Sequence, residues 1–190
     1  MLERKNMQPI KYLWAIQAIF YKLSFSHVGK LSYIGKPLYI TGAKKISVGD
    51  KVRIYPGIRM EALDGGEIYI GNNIAVEQNV HIISGERILN IGDDTTISAN
   101  VFISNVDHEY KDIDKSVMEQ PLQFKETQIG KSCFIGYGAV ILPGTRLGNH
   151  CIVGANAVVR GSYPDNCVIA GNPARIIKEY DLETEFWKNS

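Results

Sequence analysis

Proton transfer at neutral pH needs a side chain that titrates there, and the best-placed one in this 190-residue chain is His108, in the run Ser104-Asn-Val-Asp-His-Glu-Tyr110. An imidazole ordinarily titrates near about 6.5, which suits removing a proton from a hydroxyl as it attacks an electrophile. Asp107 and Glu109 flank His108, and either is expected to orient or polarise the ring. The other three histidines offer less. His27 reads as part of a linker after an apolar segment, His150 as a corner residue beside Asn149, and His81 as an outward residue between Val80 and Ile82.

A catalytic ring needs a rigid support, and the residues that supply one recur every six positions. Ile129, Ile135, Ile141, Leu147, Val153 and Val159 form the clearest run. Period six matches neither a helix nor a half-buried strand. Four residues after successive frame positions come Cys133, Ala139, Thr145, Cys151 and Ala157, and glycines such as Gly130, Gly136, Gly148 and Gly154 follow aliphatic ones. One large and one small inward residue per six describes a short flat strand ending in a tight corner, and three such strands close a triangular coil of eighteen residues. The frame reappears upstream as Ile34, Ile40, Ile46; Val48, Ile54, Met60; Ile70, Val76, Ile82; and Ile91, Ile97, Ile103. The expected fold is therefore all-β, a parallel prism of about six coils over residues 33–172, roughly 30 Å tall at about 4.8 Å per rung. A sandwich of short strands would have no reason to repeat at six.

The frame breaks three times. Met60 to Ile70 and Ile82 to Ile91 read as small corner bulges, whereas residues 104–128 form a true excursion. Long insertions in compact repeats are usually functional, and this one begins at the strand that leads to His108.

Flanking segments complete the organisation. Residues 1–32 read as a helical cap, since Leu13, Ile16, Phe20 and Leu23 share one helical stripe between Ile10 and Leu23. That stripe is expected to cover the open first coil or meet another subunit; a rival reading lays residues 10–23 on a membrane surface, helped by Arg4, Lys5, Lys11 and Lys22. Residues 173–190 are expected to leave the prism as a strand and a helix. A net charge of +1 gives no field that selects nucleic acid, and three cysteines, two of them on inward corners, read as reduced thiols of a cytoplasmic protein. No signal peptide or spanning segment is evident.

The hexads, Asn105-Val-Asp-His108 and Ala170-Gly-Asn-Pro-Ala-Arg175 together resemble the hexapeptide-repeat acyltransferases, in particular the maltose, galactoside and polysaccharide O-acetyltransferases, over about Tyr33 to Tyr180. The resemblance implies a left-handed parallel β-helix, a homotrimer with sites between neighbouring prisms, and acetyl-CoA as co-substrate with no metal. It makes His108 the catalytic base. Asn79 is similar to the asparagine that binds the acceptor sugar, and Asp107 and Glu109 join it on the acceptor side. Tyr137, Ala155, Arg160, Gly161, Arg175 and Lys178 fall where relatives contact the coenzyme. Three positions depart from the family pattern: Arg160-Gly161 replaces a hydroxyl-lysine pair, Tyr137 a serine and Phe134 a tryptophan.

The expected activity is thus O-acetylation of a saccharide, free or lipid-linked, in capsule, exopolysaccharide or lipopolysaccharide assembly, at the cytoplasmic side. Serine and amino-sugar acetyltransferases share the prism, but the first carry a long N-terminal helical domain and the second a Rossmann-like module that this chain does not show. A γ-carbonic-anhydrase-like zinc lyase needs three histidines, and only His81 and His108 are candidates. A purely structural prism would have no use for the excursion.

Overall fold

The computed structural model describes residues 9–190. After α1 (Pro9–Ser24) the chain winds through short parallel strands on three faces in fixed order, starting with β1 (His27–Val28), β2 (Tyr33–Ile34) and β3 (Tyr39–Thr41). Later coils add one strand to each face in turn. The first face ends at Ser162–Tyr163, the second at Cys167–Gly171 and the third at Val158–Val159, giving six complete coils and a partial seventh. The predicted parallel solenoid is therefore present.

Registration explains why the hexads matter. On the second face Ile34, Ile54, Val76, Ile97, Ile135, Val153 and Ile169 are successive partners across the ladder. Each is fully buried. Burying one such side chain contributes about 1.5–3 kcal/mol, so the column is a continuous source of stability along the axis. Corners between the first and second faces need one left-handed residue per coil, and Asn73, Asp94, Ser132, His150 and Asn166 supply it with φ between 53 and 59°. Asparagine and aspartate tolerate that region better than most residues, which accounts for their recurrence there.

Four expectations need correction. The prism starts at His27, not residue 33: β1 pairs with Ile46–Val48, and Val28 extends the six-residue frame backward from Ile34. The C-terminal segment holds no helix. It folds as antiparallel strands Ala174–Asp181 and Phe186–Asn189, the first lying along Cys167–Gly171, with Tyr180 and Trp187 stacked edge to face. The two short breaks are strand extensions, not bulges, for Arg59–Leu63 and His81–Gly85 stay paired through Leu63 and Gly85, and Glu67–Ile70 and Ile88–Ile91 are lengthened in step.

The fourth correction concerns α1, which docks on β1 and β2 through the face opposite to the one expected. Trp14 packs against Tyr33 and Tyr55 with centroids 5.9 Å apart, Ala18 is buried, and Tyr21 and Phe25 join the core. Small Ala15 and Ala18 let this side approach closely while the aromatic rings interlock. Leu13, Ile16, Phe20 and Leu23 consequently face outward, 57, 52, 67 and 85 % exposed.

Candidate functional site

The edge between the third and first faces carries every interruption of the frame. In the second and third coils it is raised by the strand extensions, and in the fourth it opens into the excursion. The excursion begins as an antiparallel hairpin, Val106–His108 against Leu122–Phe124, with His108 opposite Leu122. Its base rests on Gly85, where a side chain would overlap the Phe124 ring and crowd Val106. Glycine is needed there for close approach, independent of any backbone angle.

Asn105 ties this base down. It is fully buried, accepts the Gly85 N–H at 2.7 Å and donates to Ser84 Oγ (3.1 Å) and the Gly85 carbonyl (3.3 Å), while its own carbonyl accepts the Lys125 N–H at 2.9 Å. Thr127 closes the returning strand by donating to the Ser104 carbonyl at 3.0 Å and accepting the Gly144 N–H at 3.0 Å. Sequence reasoning quoted Asn105 without a role, and the hexad spacing carries no signal for it, because positions two residues after a frame residue are buried in some coils and exposed in others.

His108 stands three residues beyond this anchor, exposed, its backbone N–H donating to Asp107 Oδ1 at 3.1 Å. Its ring has no hydrogen-bond partner among the described residues. Asp107 and Glu109 do not orient it, because neighbours in a strand point to opposite sides. Asp107 instead meets Lys125 (3.5 Å) and Arg160 (3.4 Å). Glu109 accepts the Tyr110 and Lys111 N–H groups at 3.0 and 3.2 Å and a bond from Gln123, and these contacts, Tyr110's foremost, hold its carboxyl below the usual range. Both acids line a pocket of about 280 Å³ with Lys125, Gln123 and Arg160 on the far side of the hairpin from the ring.

The remaining candidates fall on two edges and the C-terminal hairpin. Arg160 and Gly161, the latter at φ 105°, share the excursion's edge. Asn79, Tyr137 and Ala155 line the edge between the second and third faces, coil above coil, where Asn79 (φ 58°) and Asn100 (φ 59°) fill left-handed corners and Asn100 Nδ2 donates to the Tyr137 hydroxyl at 2.5 Å. The corner geometry by itself accounts for an asparagine at 79. Arg175 and Lys178 extend from the exposed side of the C-terminal hairpin beside the second face. One chain thus brings Asp107, Glu109 and Arg160 together on one side of the hairpin, sets the His108 ring on the other, and leaves Asn79, Tyr137 and Ala155 across the width of the third face.

Between those edges lies a cluster the sequence did not reveal. Glu61 Oε1 accepts from Arg59 Nε at 2.6 Å and approaches His81 Nε2 at 2.8 Å, and His81 packs edge-on against Phe102. Burial pulls the Glu61 carboxyl upward, but the Arg59 and His81 contacts outweigh it and leave it lowered. Inside the prism, Cys133, Cys151 and Cys167 are buried free thiols, with the last two sulfurs 3.6 Å apart.

A three-faced parallel solenoid with one excursion that carries an exposed imidazole defines a hexapeptide-repeat acyltransferase, and the six-repeat bacterial transferase hexapeptide pattern matches residues 126–161. The chain belongs to the hexapeptide-repeat acetyltransferases. It is 39 % identical over 163 residues to WbbJ of Escherichia coli K12, named for lipopolysaccharide biosynthesis O-acetyl transfer, covering 81 % of this chain and 82 % of that protein. It is 29 % identical to the galactoside O-acetyltransferase of the same organism, covering 86 and 76 %. The solved N-acyltransferase AntD of Bacillus cereus, in complex with dTDP and 3-hydroxybutyryl-CoA, superposes with a TM-score of 0.74 at 22 % identity over 88 % of this chain and 90 % of AntD, a likeness of fold.

Proposed function

We propose that this protein transfers the acetyl group of acetyl-coenzyme A to a hydroxyl of a saccharide, in assembly of a bacterial capsule, exopolysaccharide or lipopolysaccharide on the cytoplasmic side. The observation that carries the reading is His108, an exposed ring on a hairpin whose base is locked to the prism by Asn105 and Gly85. WbbJ and the galactoside enzyme support O-acetylation and a saccharide acceptor.

His108 takes the proton from the acceptor hydroxyl as its oxygen attacks the thioester carbonyl. The new C–O bond forms, the C–S bond breaks, and the same proton passes to the departing thiolate. General-base assistance of this kind contributes about 10²–10⁴ in rate. A backbone N–H on the neighbouring coil stabilises the oxyanion. Arg160, Arg175 and Lys178 are the cations for coenzyme phosphates, with Tyr137, Ala155 and Gly161 along its length, and Asn79 holds the sugar. Asp107 and Glu109 serve the acceptor side only by bracing the hairpin, since the pocket they line opens away from the His108 ring.

The split of these residues between two edges supports a homotrimer, in which the excursion of one prism faces the Asn79–Tyr137–Ala155 edge of the next. The test is thiol release from acetyl-coenzyme A, screened over free sugars and lipid-linked oligosaccharides. His108→Ala should lower turnover about 10²–10⁴-fold with coenzyme affinity and assembly unchanged. A variant that keeps more than about a tenth of wild-type turnover would refute the base assignment.

A further inference from the structure

The near-neutral total hides a strong polarity along the prism. Between residues 9 and 53 there are eight Lys or Arg and a single acid, Asp50; from residue 54 to 190 there are eleven Lys or Arg against eighteen Asp or Glu. Residues 9–53 are α1, the first coil and the first strands of the second, so the excess positive charge lies at one end. The first coil carries exposed lysines at all three corners, Lys30, Lys36 and Lys44–Lys45.

Exposed apolar side chains lie at that same end. Leu13, Ile16, Phe20 and Leu23 run along the outer side of α1, and the helix is fixed from its inner side by Trp14, Ala18 and Tyr21, so the stripe is presented by a docked element. Leu31 and Leu38, 82 and 74 % exposed, flank the corner lysines. Leu31 occupies the left-handed corner (φ 58°) that every later coil fills with a charged or polar residue, Lys51, Asn73, Asp94, Ser132, His150 and Asn166. It borders the groove of about 430 Å³ where Lys11 and Ala15 of α1 meet the first coil. An aliphatic residue held at positive φ in solvent serves neither the corner nor the core.

We propose that α1 and the first coil form a docking face for an anionic lipid surface, with α1 lying in the plane of the headgroups. The helix is sixteen residues long, and no helix among the described residues is long and apolar enough to cross a membrane. A basic end with an exposed apolar stripe is the pattern of interfacial binding, where apolar insertion and attraction to anionic headgroups add together. Charge argues against the same face of a second copy as the occupant, since that pairing would oppose two sets of lysines with one acid each, and a contact with a different face of a neighbouring copy is separated by the sedimentation arm of the test. The proposal goes beyond the acetyl-transfer reading and does not depend on it.

The test is flotation of the full chain with vesicles of phosphatidylcholine, alone or with about 30 mol % phosphatidylglycerol, a content that gives a negative surface potential. Binding is expected only to the anionic vesicles and should weaken at least about tenfold as salt rises from about 0.1 to 0.5 M. The exposed-site variant Phe20→Ser/Leu23→Ser and the charge variant Lys44→Glu/Lys45→Glu should each lower the bound fraction about tenfold or more, with turnover on a soluble sugar unchanged. Equal binding to neutral vesicles, or anionic binding untouched by both variants, overturns the proposal. So does a Phe20→Ser/Leu23→Ser protein that loses its assembled mass by sedimentation while still floating, because the stripe would then be a subunit contact.

Discussion

Replacing Asn105 by alanine tests whether the buried anchor holds the hairpin. The substitution removes three side-chain hydrogen bonds in a site with no solvent access, leaving the Gly85 N–H orphaned and the Gly85 carbonyl and Ser84 hydroxyl each short of one donor. An orphaned buried donor costs about 1–3 kcal/mol, and the two weaker losses bring the expected destabilisation to about 2–4 kcal/mol. Ser84→Ala is the internal control. It removes a donor to the Arg87 carbonyl (2.7 Å) and an acceptor for Asn105, and should cost about 1 kcal/mol. Urea unfolding at fixed protein concentration reads both values, provided the m-value stays constant. Because Asn105 is the bend from which the His108 strand departs, Asn105→Ala should also lower turnover more than about tenfold at temperatures where the prism remains folded. An Asn105→Ala protein within about 0.5 kcal/mol of wild type and fully active would show that the hairpin is held by something else.

Gly85→Val places branched carbons on the Phe124 ring, and should lift the hairpin with a loss of about 1–3 kcal/mol and a larger loss of turnover, measured together on one preparation. Glu61 has a lowered folded pKa, so its stabilising contribution is present above the unfolded carboxylate value and disappears as pH falls through the folded one. The stability gap between wild type and Glu61→Gln should therefore be largest at neutral pH, about 1 kcal/mol, and close in acid; a gap that widens on acidification contradicts the ion-paired geometry. Hydrogen bonding to Cys133 together with burial pushes the Cys151 thiol up, burial does the same to Cys167, and the bond to Cys151 lowers Cys133, so it is the burial of all three that keeps them from reagent. Ellman's reagent should find no fast-reacting thiol in the folded protein and three after denaturation.

Much of the scaffold is legible because the solenoid writes its geometry into one-dimensional spacing. An inward residue every six positions can be counted without any knowledge of what it touches, and the excursion shows as a gap in that count. Features settled by contacts distant in sequence are not legible in this way. α1 has two apolar stripes, one through Trp14, Ala18 and Tyr21 and one through Leu13, Ile16, Phe20 and Leu23; only Tyr33 and Tyr55 decide which one docks. The C-terminal segment is expected as a strand and a helix, yet Ala174–Asp181 finds an open sheet edge and Asp181 turns the chain back into a second strand by accepting the Glu183 and Thr184 N–H groups at 2.8 and 3.1 Å. His108 was found because it opens the excursion. Arg59, Glu61 and His81 were missed because their meeting depends on the pairing of two coils and the outward alternation within each.

The winding also makes the polypeptide a measuring device. The excursion leaves from the fourth coil and Arg175 lies beside the strand of the seventh, so three rungs, about 14 Å, separate them along the axis. That interval is set by counting hexads, not by the size of any side chain. Duplicating one eighteen-residue coil between them would lengthen it by about 4.8 Å and leave both ends chemically intact, so a chain built on this plan can be regauged by whole increments.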